Sequence, residues 1–181
     1  MLNVFVTNIF SFIHALTMCF KACEVINNRI LRKNWDVYAD EPLEYEYQKF
    51  FAFSLSYFIM DTITGFVCNY NKPAMILHHV LLIALLVHQL VSNNEGIILF
   101  FMYGIGEVSS ILLFPYENLR MFPLTRKISS GFGLVFCLVF LFARIILGTI
   151  LFLVVNSLGY VNVFMKIMTI PAVYVGWFWS W

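Results

Sequence analysis

Apolar runs of about twenty residues recur along most of this chain, and they restrict its fold more than any other feature. A helix needs about 20 apolar residues to cross the roughly 30 Å hydrocarbon core of a bilayer. We therefore predict an all-α, polytopic membrane bundle of about six transmembrane helices. The predicted spans are Met1–Phe20, Gln48–Cys68, Ala74–Val91, Gly96–Phe114, Ser130–Val155 and Val161–Trp181.

Composition supports a membrane protein and excludes two other classes. The 181 residues are 61% hydrophobic and 12% charged, with a mean hydropathy of +0.84, whereas soluble domains carry about 25% charged residues. The net charge of +1 offers no basic surface for nucleic acid, so we expect no nucleic-acid partner. We predict one membrane domain over 1–181, with a first span over 1–20, a polar connector over 21–47 and five further spans over 48–181.

Among the ionisable side chains inside the predicted spans, the main functional candidates are Asp61, His78, His79, Glu107 and Arg144. Holding one such group in hydrocarbon costs a few kcal/mol, so ionisable residues in spans face a bundle interior, a cavity or a partner. Arg stays charged at any relevant pH and needs a counter-ion. Asp61 and Glu107 are both candidates for that counter-ion.

Further polar residues share helix faces with these groups. Tyr57 lies four residues before Asp61, and Tyr103 and Ser110 flank Glu107 at steps of four and three. We expect these polar faces to look into the bundle. The two histidines are neighbours in sequence and point about 100° apart on a helix, so only a wide helix face could present both to one cavity.

The histidine pair fits acid/base chemistry better than metal binding. Helical metal ligands usually stand at i and i+4, so adjacent histidines predict no metal site. A neutral imidazole can take a proton from a lipid hydroxyl or amine, or can attack an activated acyl group. His78 and His79 are therefore candidate catalytic residues for acyl transfer.

Four segments, taken in order, resemble the TLC family, which groups TRAM, Lag1-type ceramide synthases and CLN8. The segments are YFIMD (57–61), ILHHVLL (76–82), GEVSSILLFPYENLR (106–120) and FLFAR (140–144). They cover the second to the fifth span. The resemblance implies a helical bundle around a lipid-accessible cavity, with all five ionisable candidates at matching motif positions. We expect Tyr57, Tyr103 and Ser110 to line this lipid cavity.

The resemblance is closer to the short members of this family than to the ceramide synthases. Those enzymes acylate sphingoid bases from acyl-CoA, and their paired histidines correspond to His78 and His79. Their second motif, HDxSD, is missing here, and the fourth span reads MYGIGEVSS instead. This is similar to the short proteins related to CLN8 and the TLCD proteins, which are linked to membrane lipid composition or trafficking.

Three functions follow from these observations. The first is lipid handling in acyl-chain or sphingolipid homeostasis, with membrane lipids as partners, no resident cofactor, and acyl-CoA as a candidate substrate if the chain is an enzyme. The second is an accessory subunit of a larger membrane complex, with other membrane subunits as partners. The third is a transporter or cargo receptor. We expect an integral membrane protein of the endoplasmic reticulum, with the mitochondrial inner membrane as the alternative.

Overall fold

The computed structural model describes residues 2–32, 45–69, 73–92, 96–159 and 161–170, and within these ranges the chain is helical without any strand. This confirms the predicted all-α class. The helices are α1 (Leu2–Arg32), α2 (Tyr45–Val67), α3 (Pro73–Ser92), α4 (Gly96–Arg120), α5 (Arg126–Phe140), α6 (Gly148–Ser157) and α7 (163–170). A π-helical segment, Leu141–Leu147, joins α5 to α6 without a break.

Several helices have the length and composition of membrane spans. Within the described ranges, four stretches are long and apolar enough to cross a bilayer: Val6–Asn28, Tyr47–Val67, Pro73–Ser92 and Lys127–Ser157. The 25-residue helix α4 is also long enough to span. The sixth predicted span begins at α7, and its remaining residues, 171–181, lie outside the described ranges.

The first helix is longer than its apolar run predicts. The predicted span ends at Phe20, but α1 continues to Arg32, so the beginning of the predicted polar connector is helical. The reason is that Met18, Ala22 and Val25 continue one buried stripe at helical spacing. The predicted connector residues 33–44 lie outside the described ranges.

A tight connection brings α2 and α3 together as an antiparallel pair. α2 ends near Asn69, whose φ of 53° is the left-handed conformation that Asn tolerates at a helix C-terminus. Pro73 begins α3, where a proline's missing N–H costs nothing. Asp61 lies six residues before the end of α2 and His79 six residues after the start of α3, so both lie about 9 Å from the connection.

Two glycines allow the neighbouring helices α1, α4 and α5 to approach closely. A Cβ atom added at Gly104 of α4 would lie 2.7 Å from the Cβ of Ala22 on α1. A Cβ atom at Gly133 of α5 would lie 2.8 Å from the ring of Tyr116 on α4. Small residues permit this kind of close packing between membrane helices, and here they place α4 between α1 and α5.

Candidate functional site

His79 and Asp61 meet at the interface of α2 and α3. His79 Nε2 lies 3.5 Å from Asp61 Oδ2, and both side chains are only 5% exposed. On the other side of the ring, His79 Nδ1 lies 2.9 Å from Thr62 Oγ1. The antiparallel pairing of the two helices produces this contact, because it brings the two residues to the same depth.

The hydrogen bonds of Thr62 indicate how protons are distributed in this pair. Thr62 Oγ1 donates its single proton to the carbonyl of Phe58 at 2.7 Å, so His79 Nδ1 must be the donor in its contact with Thr62. A neutral His79 would then direct a lone pair towards the Asp61 carboxylate. Because two acceptors would repel, the contact is favourable when one further proton resides on either His79 or Asp61.

His78 faces a different part of the molecule from His79. Its ring centroid is 5.8 Å from that of His79, and Phe58 lies near both rings, with its centroid 6.4 Å from His78 and 5.4 Å from His79. His78 lines a cavity, whereas His79 contacts Thr62 and Asp61. The divergence expected for adjacent helical residues thus gives the two histidines different surroundings.

The cavity has a volume of about 90 Å³ and is partly open to the exterior. Helices α3, α4, α6, α7 and the π-helical segment contribute its walls. Most of the lining is apolar, with residues such as Leu81, Leu82, Leu85, Leu151 and Phe152. The polar side chains in the lining are His78, Tyr103, Glu107, Arg144 and Thr169.

Glu107 and Arg144 form the charged part of the cavity wall. The two charges interact, and Glu107 also accepts a hydrogen bond from Ser110. The Arg144 guanidinium lies 3.7 Å from where a Cβ atom would stand at Gly106, and its Nε donates to Ser109 Oγ at 3.5 Å. The structure thus brings Arg144 to Glu107, while Asp61 contacts His79.

The π-helical segment holds Arg144 in this position. Arg144 lies in the middle of Leu141–Leu147, and the Gly148 N–H reaches the carbonyl of Ala143, five residues back. Such π-helical turns are frequent at functional sites. The segment packs on α4, which is the helix that carries Glu107.

The remaining candidates from the sequence have different locations. Tyr103 is buried in the cavity wall. Ser110 does not belong to the described lining of the cavity, but it supports Glu107. Tyr57 lies at the interface of α1 and α2, where its hydroxyl donates to Ser11 Oγ at 2.8 Å. Tyr57 is also absent from that lining.

A comparison with protein families decides the relationship of this chain. The family model described as TLC domain (TRAM, LAG1 and CLN8) matches residues 4–180. The chain belongs to the TLC-domain family. Neither a curated protein nor a solved structure matches this TLC-domain protein significantly. Family membership and the apolar helices together make it an integral membrane protein of a family associated with lipid handling.

One buried histidine of this TLC-domain protein escaped the sequence analysis. His14 of α1 is 1% exposed, its Nε2 lies 2.8 Å from Ser54 Oγ, and its ring stacks on Tyr57 with centroids 4.1 Å apart. A titratable ring in the middle of the first apolar run was the available signal. Its partners lie on α2, so this polar cluster ties α1 to α2.

Metal ligation finds no support among the residues that the structure describes. Within those ranges, no group of three or more His, Cys, Asp or Glu side chains is close enough to hold a metal ion. The candidate site of this TLC-domain protein is the cavity described above, which has polar and apolar parts. Such a cavity can hold a molecule that has one polar end and an apolar chain.

Proposed function

We propose that this TLC-domain protein binds a membrane lipid, with the lipid's polar end at His78, Glu107 and Arg144 and the adjoining chain against the apolar walls. One observation carries the proposal: a partly open, largely apolar cavity ends at a cluster of polar and charged side chains within the helix bundle. Because polar groups at membrane depth are costly, a cluster beside an open cavity is best explained by a ligand that it contacts.

The size of the cavity limits how much of the lipid it encloses. Its volume of about 90 Å³ is well below the roughly 300–1,000 Å³ of a pocket that surrounds a drug-sized ligand. The protein therefore encloses only the polar end of the lipid and the first part of its chain. The rest of the lipid's hydrocarbon chain extends out of the bundle along apolar helix surfaces.

Acyl transfer is a second candidate function, favoured by the position of His78 in the cavity wall. In this reaction the hydroxyl or amine of a bound lipid attacks the thioester carbonyl of acyl-CoA, and the carbon–sulfur bond breaks. His78 accepts the proton of the nucleophile and returns it to the departing CoA thiolate. His79, which already contacts Thr62 and Asp61, orients α3 rather than reacting with the lipid.

The proposal also includes the subgroup of the family and the membrane in which the protein resides. The single carboxylate of Glu107, in the segment where ceramide synthases carry HDxSD, supports membership of the short CLN8-like subgroup. Residence in the endoplasmic reticulum membrane is the location that fits this subgroup.

The test is the lipid content of the purified protein. Wild type, His78→Ala and Gly148→Leu are extracted in mild detergent, and co-eluting lipids are quantified by mass spectrometry. A Cβ atom at Gly148 makes only an ordinary contact, 3.7 Å from Ala143 O, so leucine fits the backbone and fills the cavity. Matched controls are His88→Ala, which changes a histidine outside this cavity, and Gly131→Leu, where a Cβ atom meets nothing within 4 Å.

We expect wild type and both controls to retain a stoichiometric lipid, and the two cavity variants to lose it. Equal lipid content in Gly148→Leu and wild type would contradict the proposal. A lipid-free particle that migrates with fixed protein subunits would instead support the accessory-subunit function.

A further inference from the structure

The charge balance of the cavity wall restricts what kind of lipid it accepts. Arg144 and Glu107 carry opposite charges in the same cavity wall, and the two charges interact, so the wall has no net charge. A phosphate or carboxylate at this site would give the wall a net negative charge. An ammonium group would give it a net positive charge. Unpaired buried charge is costly in a low-dielectric interior, so the site favours an uncharged polar group.

The hydroxyl of Tyr103 is the second observation. Tyr103 belongs to the cavity wall and is 4% exposed, and its Oη has no hydrogen-bond partner among the described residues. Buried polar groups are normally hydrogen-bonded, so an orphan needs an explanation such as a ligand or an ordered water. Thr169, another polar residue of this wall, already donates to the Lys166 carbonyl.

Tyr103 and Glu107 lie on the same face of α4, one turn apart. The Tyr103 hydroxyl interacts electrostatically with the Glu107 carboxylate. The two groups are not hydrogen-bonded to each other. A group placed between them must accept from the Tyr103 O–H and donate to the carboxylate. An alcohol does both, whereas an ester or amide carbonyl can only accept.

We infer that this cavity selects an uncharged lipid with a free hydroxyl group, which is bound between Tyr103 and Glu107. The inference rests on the proposed function and adds the ligand class to it. Tyr103 is then a specificity-determining residue, because it recognises the hydroxyl without taking part in any reaction.

Competition labelling tests this inference. The protein is placed in phosphatidylcholine nanodiscs and labelled with a photoactivatable diacylglycerol, against three competitors with the same chains: dioleoylglycerol, its methyl ether and dioleoyl phosphatidic acid. The methyl ether cannot donate to Glu107, so we expect it to compete about two- to tenfold less well than the alcohol. The phosphatidic acid should compete more than about 100-fold less well.

Variants assign the effect to the two groups. Tyr103→Phe should weaken labelling about two- to tenfold, while Tyr116→Phe, on the same helix and outside the described cavity lining, should leave it unchanged. Glu107→Gln leaves Arg144 without its counter-ion, so phosphatidic acid should become the better competitor.

The outcomes distinguish a failure of this inference from a failure of the proposed lipid binding on which it rests. If Gly148→Leu abolishes labelling but Tyr103→Phe retains it fully, the ligand class is wrong and the cavity still binds lipid. If phosphatidic acid competes as well as dioleoylglycerol against wild type, the charge argument fails. If Gly148→Leu labels like wild type, the proposed function itself fails.

Discussion

Removal of Arg144 is the sharpest test of how the bundle tolerates charge at membrane depth. Glu107 is 9% exposed, and Arg144 is its charged partner. Removing one partner of a buried ion pair in direct contact costs about 3–5 kcal/mol, because the other charge is left uncompensated. Glu107 and Arg144 interact through their charges without a direct salt bridge. The Ser110 hydroxyl still bonds the carboxylate in the variant, so we expect Arg144→Met to lower the free energy of unfolding by about 3 kcal/mol, the low end of that range.

The double variant separates the charge from the packing. Glu107→Gln alone should also cost about 3 kcal/mol, but with Arg144→Met no net charge is left in the wall. We expect a coupling energy of about 1–3 kcal/mol between the two substitutions. The free energies come from unfolding titrations in mixed micelles of mild detergent and sodium dodecyl sulfate, followed by tryptophan fluorescence. Arg120→Met is the control, since Arg120 is exposed and bonds only weakly, at 3.4 Å, to the Tyr116 hydroxyl.

Two results would refute the reasoning about this pair. A cost below about 0.5 kcal/mol for Arg144→Met would place it with ordinary surface substitutions. Strict additivity of the two substitutions would mean that the charges do not interact.

Two further predictions concern packing and hydrogen bonding, and the same unfolding titrations check both. Gly104→Ala should destabilise the bundle by about 1–3 kcal/mol through overpacking, because its new Cβ atom would meet the Ala22 Cβ at 2.7 Å. Adding Ala22→Gly should recover most of this lost stability. No recovery in the double variant would contradict the proposed clash. Ser54→Ala should lower the free energy of unfolding by about 1–3 kcal/mol, because it removes the partner of the buried His14 ring nitrogen. The control Ser56→Ala, at an exposed serine of the same helix, should change it by no more than about 0.5 kcal/mol. Equal effects of the two serine variants would argue against a structural role of the His14 contact.

The sequence predicted the helical class and most helix positions because hydrophobic run length depends on local composition. It predicted equally well that His78 and His79 diverge, because helical geometry sets that angle. The α1 boundary was harder to locate. Its residues after Phe20 become more polar, yet packing of Ala22 and Val25 continues the helix to Arg32.

Contacts between helices could not be predicted from the sequence. Asp61 and Glu107 were equal candidates for Arg144, because nothing in the sequence specifies which helix packs beside the fifth span. The pairing of Asp61 with His79 depends on the position of the α2–α3 connection. His14 was missed because its partner Ser54 lies 40 residues away, and no local pattern connects them.

The π-helical segment also has a consequence for insertions and deletions in this chain. A π-helical turn contains about one residue more than an α-helical turn, so Leu141–Leu147 can be understood as an α-helix carrying an inserted residue. Deleting one residue there should leave a regular α-helix in which Gly148 and Leu151 still face the cavity. Deleting one residue from the α-helical part of α5 would instead rotate everything after it by about 100° and turn both residues out of the cavity wall. The π-helical segment is therefore the place in this span where a change in chain length disturbs the cavity wall least.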